Sequence, residues 1–206
     1  MRPELKVFEI KDFTTSSGAL LNKWSLTYEV FGKELHTAPV VVVNHALTGN
    51  SDLLSEKKGW WKTIIGNNKL IDTTRYTVIA FNIPGNAYDD QFIENYRDFS
   101  ARDIAILFNH ALKQLKIDEI FAVIGGSLGG GLAWEMAVLE PNYFKYVIPV
   151  ACYWQSSDWI IGFNDVQMQI LEYSTKPLEI SRMMAMLFYR TPASLQAKLQ
   201  RTKTAD

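Results

Sequence analysis

Residues Val123 to Tyr143 read VIGGSLGGGLAWEMAVLEPNY, with Ser127 alone among five glycines between an apolar run and an amphipathic run. Gly125-Gly126-Ser127-Leu128-Gly129 fits the pattern G-x-S-x-G. A serine on a sharp strand-to-helix turn is held in a strained backbone conformation that lifts its hydroxyl clear of the sheet. The flanking positions must be tiny because strand and helix approach closely there. The helix behind supplies free N–H groups and a positive dipole end for a developing oxyanion. The chemistry expected of Ser127 is therefore nucleophilic attack on an acyl group.

Two rivals share the loop: a glycine-rich turn with an incidental serine, and a phosphate cradle at a helix N-terminus. No lysine follows in a G-K-[ST] arrangement. A dinucleotide fingerprint would follow the first strand of its unit rather than fall mid-chain. The position after an apolar strand and before a helical run favours the nucleophile.

Acyl transfer through a serine needs two N–H donors aimed at the tetrahedral oxygen. The residue after the nucleophile, Leu128, supplies one, and the loop NHALTGN after the valine run supplies the second, at Leu47. His45 in that loop is tempting as a base, but its place favours a loop-shaping role through hydrogen bonds. His36 precedes the valine run in a polar turn and His110 falls mid-helix, so both are expected at the surface or its boundary. Three scattered histidines and one cysteine offer no metal-ligand spacing.

These residues need a frame. KVFEIKDF and WSLTYEVF alternate with period two around a turn-rich TTSSGALLNK, and so predict adjacent or hairpin strands. APVVVVNHALTG, RYTVIAFNIPGN, DEIFAVIGGS and KYVIPVACYW each read as a strand followed by a loop; the continuous valine run suits burial on both faces of a parallel sheet. Helical stripes run from Asp98 to Lys116 and from Leu128 to Leu139, the latter stopped before Pro141. The expected order is three strands, then helix and strand in alternation, with a helix also between the valine strand and RYTVIAFN. This predicts an α/β fold, a mostly parallel sheet with helices on both faces. From Trp154 onward, DWIIGFNDVQMQILEYS and EISRMMAMLFYR look helical with no strand between them. The expected division is a core over 1–153 and the start of a helical cap over 154–206.

The 206 residues suffice for one good-sized domain with a core. At 48% hydrophobic and 21% charged, the composition excludes disorder. A net charge of −1 leaves no footprint for nucleic acid or an anionic membrane surface. No apolar run approaches the roughly 18 residues of a membrane span, and the charged start MRPELKVFEI does not suit a signal peptide. One cysteine, Cys152, forms no internal disulfide. The expectation is a cytoplasmic protein.

The blocks HALTG, GWW…IG…K.ID..RY.VIAFN, GGSLGG, FNDVQMQIL and RMMAMLFYR, in that order, resemble the homoserine O-acetyltransferase family of the α/β-hydrolase superfamily, from about Val40 to the end of the chain. The resemblance implies an α/β-hydrolase fold and a two-step exchange. An acetyl group would pass from acetyl-CoA, a co-substrate rather than a bound cofactor, to Ser127, then to the hydroxyl of homoserine, in methionine biosynthesis. Leu47 and Leu128 match the family's oxyanion positions. Arg182 and Tyr189 match an arginine and a tyrosine that line its substrate tunnel, where the arginine would hold a carboxylate through a bidentate pair. Leu128 replaces the family's usual methionine, and IPGNAYDD stands where the family has a longer glycine-rich loop. The family also includes serine acetyltransferases and succinyltransferases, which leaves donor and acceptor open.

In this superfamily the triad runs Ser, then Asp or Glu, then His, the last two after later strands. No histidine follows His110, and Asp158, Asp165 and Glu172 fall in the expected cap. The expectation is a chain lacking the C-terminal strands with the triad Asp and His, impaired by itself and exposing the YVIPVAC strand at a sheet edge, which favours a homo-oligomer. Two further readings stay open: a serine esterase or thioesterase at the same site, and a non-catalytic fragment acting as a binding module.

Overall fold

The computed structural model of the chain describes residues 3–88, 90–93 and 96–200. Asp89 of the IPGNAYDD stretch and residues 201–206 of the expected cap lie outside the described residues. The chain forms two compact units, Met1–Trp154 and Gln155–Asp206.

The first unit is built on a six-stranded sheet. Strands β1 (Lys6–Thr14) and β2 (Leu20–Gly32) form the expected antiparallel hairpin, with Ile10 opposite Trp24. β3 (Val40–Asn44), β6 (Thr77–Phe81), β7 (Ile120–Gly126) and β8 (Phe144–Val150) follow, and the sheet order is β1-β2-β6-β3-β7-β8. The pairs β3–β6, β3–β7 and β7–β8 are parallel, whereas β2 runs antiparallel to β6. All five residues of β3 and all five of β6 are buried, which is why the valine run carries no alternation. After β3 the chain first adds a neighbour on one side, β6, and later one on the other, β7. The strand order thus reverses at β3, the point beyond whose carboxyl end, and that of β7, an open sheet of this kind forms its crevice. Ser127 and the NHALTGN loop both emerge there.

Helices α1 (Ala101–Gln114) and α2 (Leu128–Leu139) pack on one face of the sheet. Leu107, Phe108 and Leu112 of α1 and Leu132 and Met136 of α2 meet Val42, Ile79, Phe81 and Val123. A capping box starts α1: the Ser100 side chain accepts from the Asp103 N–H while the Asp103 carboxylate accepts from the Ser100 N–H. Asp103 also accepts from Ser16 N and Oγ at 2.8 and 2.7 Å, which ties the helix to the β1–β2 turn. Burial alone would raise that carboxyl's pKa, but these hydrogen bonds outweigh it and hold it below the ordinary value.

Two expectations need correction. No helix separates β3 from β6: that stretch is turns plus a short parallel pair, β4 (Ile65–Gly66) and β5 (Ile71–Asp72). Consequently helices do not cover both faces of this unit's sheet. Leu53, Ile65 and Ile71, with Trp60 and Trp61 packed against them, cover Val41, Val43, Val78 and Ala80 instead. The sequence there offers lysines, glycines and paired tryptophans without a 3.6-residue stripe, so burial comes from aromatic anchors on turns. The second correction concerns α2, which is apolar nearly all round rather than amphipathic: Val138 on its far side is 63% exposed.

The second unit contains α3 (Asp158–Tyr173), α4 (Pro177–Phe188) and α5 (Pro192–Leu199). Ser157 and Thr191 cap α3 and α5, and Pro177 and Pro192 open α4 and α5 at the position where a missing N–H costs least. The pair α3–α4 packs through Phe163 and Phe188, whose rings stack at 3.7 Å between centroids. A groove of about 470 Å³ runs between them, lined by Trp159, Phe163, Val166, Met184, Leu187 and Phe188 among others. No helix among the described residues is long and apolar enough to cross a membrane.

Candidate active site

Ser127 sits at the corner between β7 and α2 with φ 53° and ψ −119°, a left-handed conformation that costs a non-glycine residue of order 1–3 kcal/mol. The surroundings hold it there. Its N–H donates to Val150 O at 2.9 Å, and its carbonyl accepts from Gly130 N and Gly131 N at 2.9 and 3.1 Å. The side chain caps nothing and the residue is exposed. A backbone pinned on both sides and a hydroxyl left free is the arrangement a nucleophile needs.

The glycines explain how the corner can be so tight. A Cβ on Gly125 would fall 2.0 Å from Gly129 O, and one on Gly129 would fall 2.3 Å from Asn44 O and 2.6 Å from His45 O. Strand, helix and the start of the NHALTGN loop therefore meet backbone to backbone. This contact sets the loop carrying Leu47 against the first turn of α2, which carries Leu128. Neither the Leu47 nor the Leu128 N–H donates to any backbone acceptor among the described residues. Leu47 itself stands 73% exposed on the crest of its loop. Trp61 borders the corner as well: its ring edge lies 3.6 Å from where a Cβ on Gly126 would be.

His45 is fully committed elsewhere. It is 1% exposed, its Nδ1 pairs with Ala46 O at 2.7 Å, and its Nε2 accepts from Ile83 N at 3.0 Å. An N–H donor at Nε2 requires the neutral tautomer with the proton on Nδ1. Burial drives the pKa down to about 4, against a smaller opposing contribution from the Ala46 carbonyl. The loop-shaping role expected from sequence is what the ring performs. A histidine that stays neutral when folded but protonates near 6.5 when unfolded weakens the fold as pH falls through that window. The expected outcome is stability undiminished by this group above pH 6.5 and lost progressively down to about pH 4, by about 3 kcal/mol in all. Imidazole ¹⁵N shifts of folded protein checked between pH 7 and 5 should stay those of the Nδ1–H form.

His36 is exposed before β3, at the end of the sheet opposite the crevice, and His110 is exposed on α1, edge-on to Phe8. None of the three imidazoles is offered to Ser127. The Cys152 thiol packs behind the corner, 2.5 Å from where a Cβ on Gly130 would be, and burial raises its pKa, which keeps it protonated. Among the described residues no group of three or more His, Cys, Asp and Glu could hold a metal ion. Arg182 and Tyr189 belong to the second unit. Arg182 is exposed on α4, and Tyr189, 77% exposed, is the residue that closes that helix, edge-on to Phe188.

Sequence reading did not find Trp61, nor a set of buried polar side chains around Asn82 described below. A tryptophan pair on turns carries no periodic signal. Asn82 had one cue, its place at the carboxyl end of a buried strand just before the crevice.

A profile of the alpha/beta hydrolase fold matches residues 39–174. A homoserine O-acetyltransferase of Nautilia profundicola is 27% identical over 98% of this chain and 65% of its own length. One of Corynebacterium diphtheriae is 31% identical over 80% of this chain and 46% of its own length. The chain thus spans about half to two thirds of these curated relatives. Among solved structures, a homoserine O-acetyltransferase from Staphylococcus aureus superposes with a TM-score of 0.79 at 29% identity, covering 95% of this chain and 61% of that one. The structure of esterase E22 reaches 0.83 at 24% identity, covering 98% and 66%, and speaks for the fold alone.

Proposed function

The chain belongs to the alpha/beta hydrolase fold family, and from that premise we propose that it carries the nucleophilic half of an acyltransferase site of the homoserine O-acetyltransferase kind. The observation that carries this reading is the exposed Ser127 hydroxyl on a left-handed corner, beside two undirected N–H groups. In the first step Ser127 Oγ attacks the thioester carbonyl of acetyl-CoA, and the amides of Leu47 and Leu128 take the negative charge on the carbonyl oxygen. The C–S bond then breaks, leaving acetyl on Ser127 and releasing CoA as its thiol. In the second step the hydroxyl of homoserine attacks the acetyl-serine, and O-acetylhomoserine leaves with Ser127 restored. This is a step of methionine biosynthesis. By the family resemblance Arg182 and Tyr189 are candidates for substrate contact, Arg182 for the amino acid's carboxylate. The proton acceptor for Ser127 is assigned to no residue of this chain.

The names of the curated relatives support homoserine as acceptor, and water is the competitor, since a serine esterase or thioesterase would use the same nucleophile. Acetyl-CoA is incubated with the protein with and without homoserine, and CoA release and O-acetylhomoserine are followed. CoA release that rises with homoserine and matches the product formed supports transfer. Release that ignores homoserine, L-serine and every other hydroxy amino acid overturns it in favour of hydrolysis.

A further inference from the structure

Four polar side chains are withdrawn from water beside the crevice: Glu29 and Ser51 are 0% exposed, His45 1% and Asn82 2%. Asn82, one residue beyond β6, spends its whole hydrogen-bonding capacity there. Its Oδ1 accepts from Ser51 N at 2.9 Å and from Asn86 Nδ2 at 3.0 Å. Its Nδ2 donates to Thr27 Oγ1 at 2.9 Å and to Ser51 Oγ at 3.0 Å. The Ser51 N–H can only donate, so the amide's orientation is unambiguous. Ser51 Oγ passes the chain on to the Glu29 carboxyl in β2 at 2.5 Å.

The segment 45–51 is thereby held at both ends. At one end the His45 ring is fixed by Ile83 N and is also within 3.3 Å of Asn86 Nδ2. At the other, Ser51 is held by Asn82 and Glu29, and Trp60 Nε1 donates to Asn50 O at 2.9 Å. Between the two anchors Leu47 sits in a turn closed by Gly49 N–H donating to Ala46 O at 2.8 Å. Burying a carboxyl, an amide, a hydroxyl and an imidazole costs more than apolar packing would, unless every partner is satisfied; a satisfied network specifies one conformation.

We propose that Asn82 is a positioning residue for acyl transfer: through Ser51 and Glu29 on one side and Asn86 and His45 on the other, it sets the direction of the Leu47 N–H. The inference rests on the reading of Leu47 as an oxyanion donor. A donor turned away from the tetrahedral oxygen loses stabilisation that exists only in the transition state, so kcat falls while KM holds.

Two variants test it, Asn82→Ala and Asn86→Ala. The second removes only a half-buried side chain and keeps the test alive where the first does not fold. Turnover of acetyl-CoA and amide hydrogen exchange are measured on each. Expected for Asn86→Ala are a kcat lowered about tenfold, a KM within about twofold, and faster exchange confined to residues 45–51; for Asn82→Ala the kcat loss approaches about 100-fold, the lower range for losing an oxyanion donor. An unchanged kcat with a loosened loop overturns the positioning role. So does exchange rising equally across β3 and β7, which marks general destabilisation. Failure of the underlying reading looks different: the unaltered protein then shows no turnover that Ser127→Ala removes, and exchange in 45–51 alone decides whether Asn82 fixes the loop.

Discussion

In protein that supplies Ser127 with its proton acceptor, Ser127→Ala is expected to lower acyl transfer from acetyl-CoA by about 1,000-fold or more, the scale seen when a covalent nucleophile is removed and only binding and oxyanion stabilisation persist. Stability should stay within about 0.5 kcal/mol of the unaltered protein, because the exposed hydroxyl makes no capping bond and alanine inherits the same left-handed backbone. Ser127→Gly separates strain from chemistry. Glycine adopts φ 53° without penalty, so this variant should be inactive yet more stable by about 1 kcal/mol. Thermal melts alongside turnover check both. A serine incidental to a glycine-rich turn would show the same gain in stability with no loss of activity.

Gly125→Ala and Gly129→Ala should each produce a large loss of stability. Each new methyl would meet backbone atoms, Gly129 O at 2.0 Å in one case and Asn44 O at 2.3 Å in the other. No side-chain rotation relieves such a contact; strand β7, helix α2 or the end of β3 must move apart. The expected cost is about 3 kcal/mol, the upper end of the usual range for overpacking, which lowers the melting temperature by roughly 10 °C in a chain of this size. Activity should fall further than stability does, since the same displacement separates Leu47 from Leu128. Gly131 is the internal control. Nothing lies within 4 Å of its added Cβ, so Gly131→Ala should stabilise α2 by up to about 1 kcal/mol, as expected for alanine replacing glycine within a helix. Equal melting temperatures for all three variants would contradict the close-contact account.

What was readable beforehand followed from local periodicity and from crowding. The Val40–Val43 run and VIAF lack alternation because both their faces are covered, and that pattern alone predicted buried parallel strands. Gly125 and Gly129 beside Ser127 were informative because each answers a backbone contact. The stretch between β3 and β6 was illegible for the opposite reason. Trp60 and Trp61 cover the sheet from turns, and their burial depends on partners such as Leu53 that sit close in sequence without any repeating interval. Helix α2 misled in its own way. Its apolar far side, with Val138 open, looks like half of an amphipathic stripe when only the glycine-rich beginning is weighed. The place of Leu128 at the first turn of α2, next to Ser127, was legible from the serine motif itself. The Asn82 network was not, because it joins β2, the 45–51 loop and the turn after β6 across gaps of 31 and 22 residues that no local pattern spans.

The proposed chemistry turns on one atom, the Ser127 Oγ. The most direct test treats folded protein with a fluorophosphonate and maps the adduct by peptide mass spectrometry. A single phosphonyl group on the peptide containing Ser127, absent in Ser127→Ala, is the predicted result. An adduct on another residue, with none on Ser127, would contradict it.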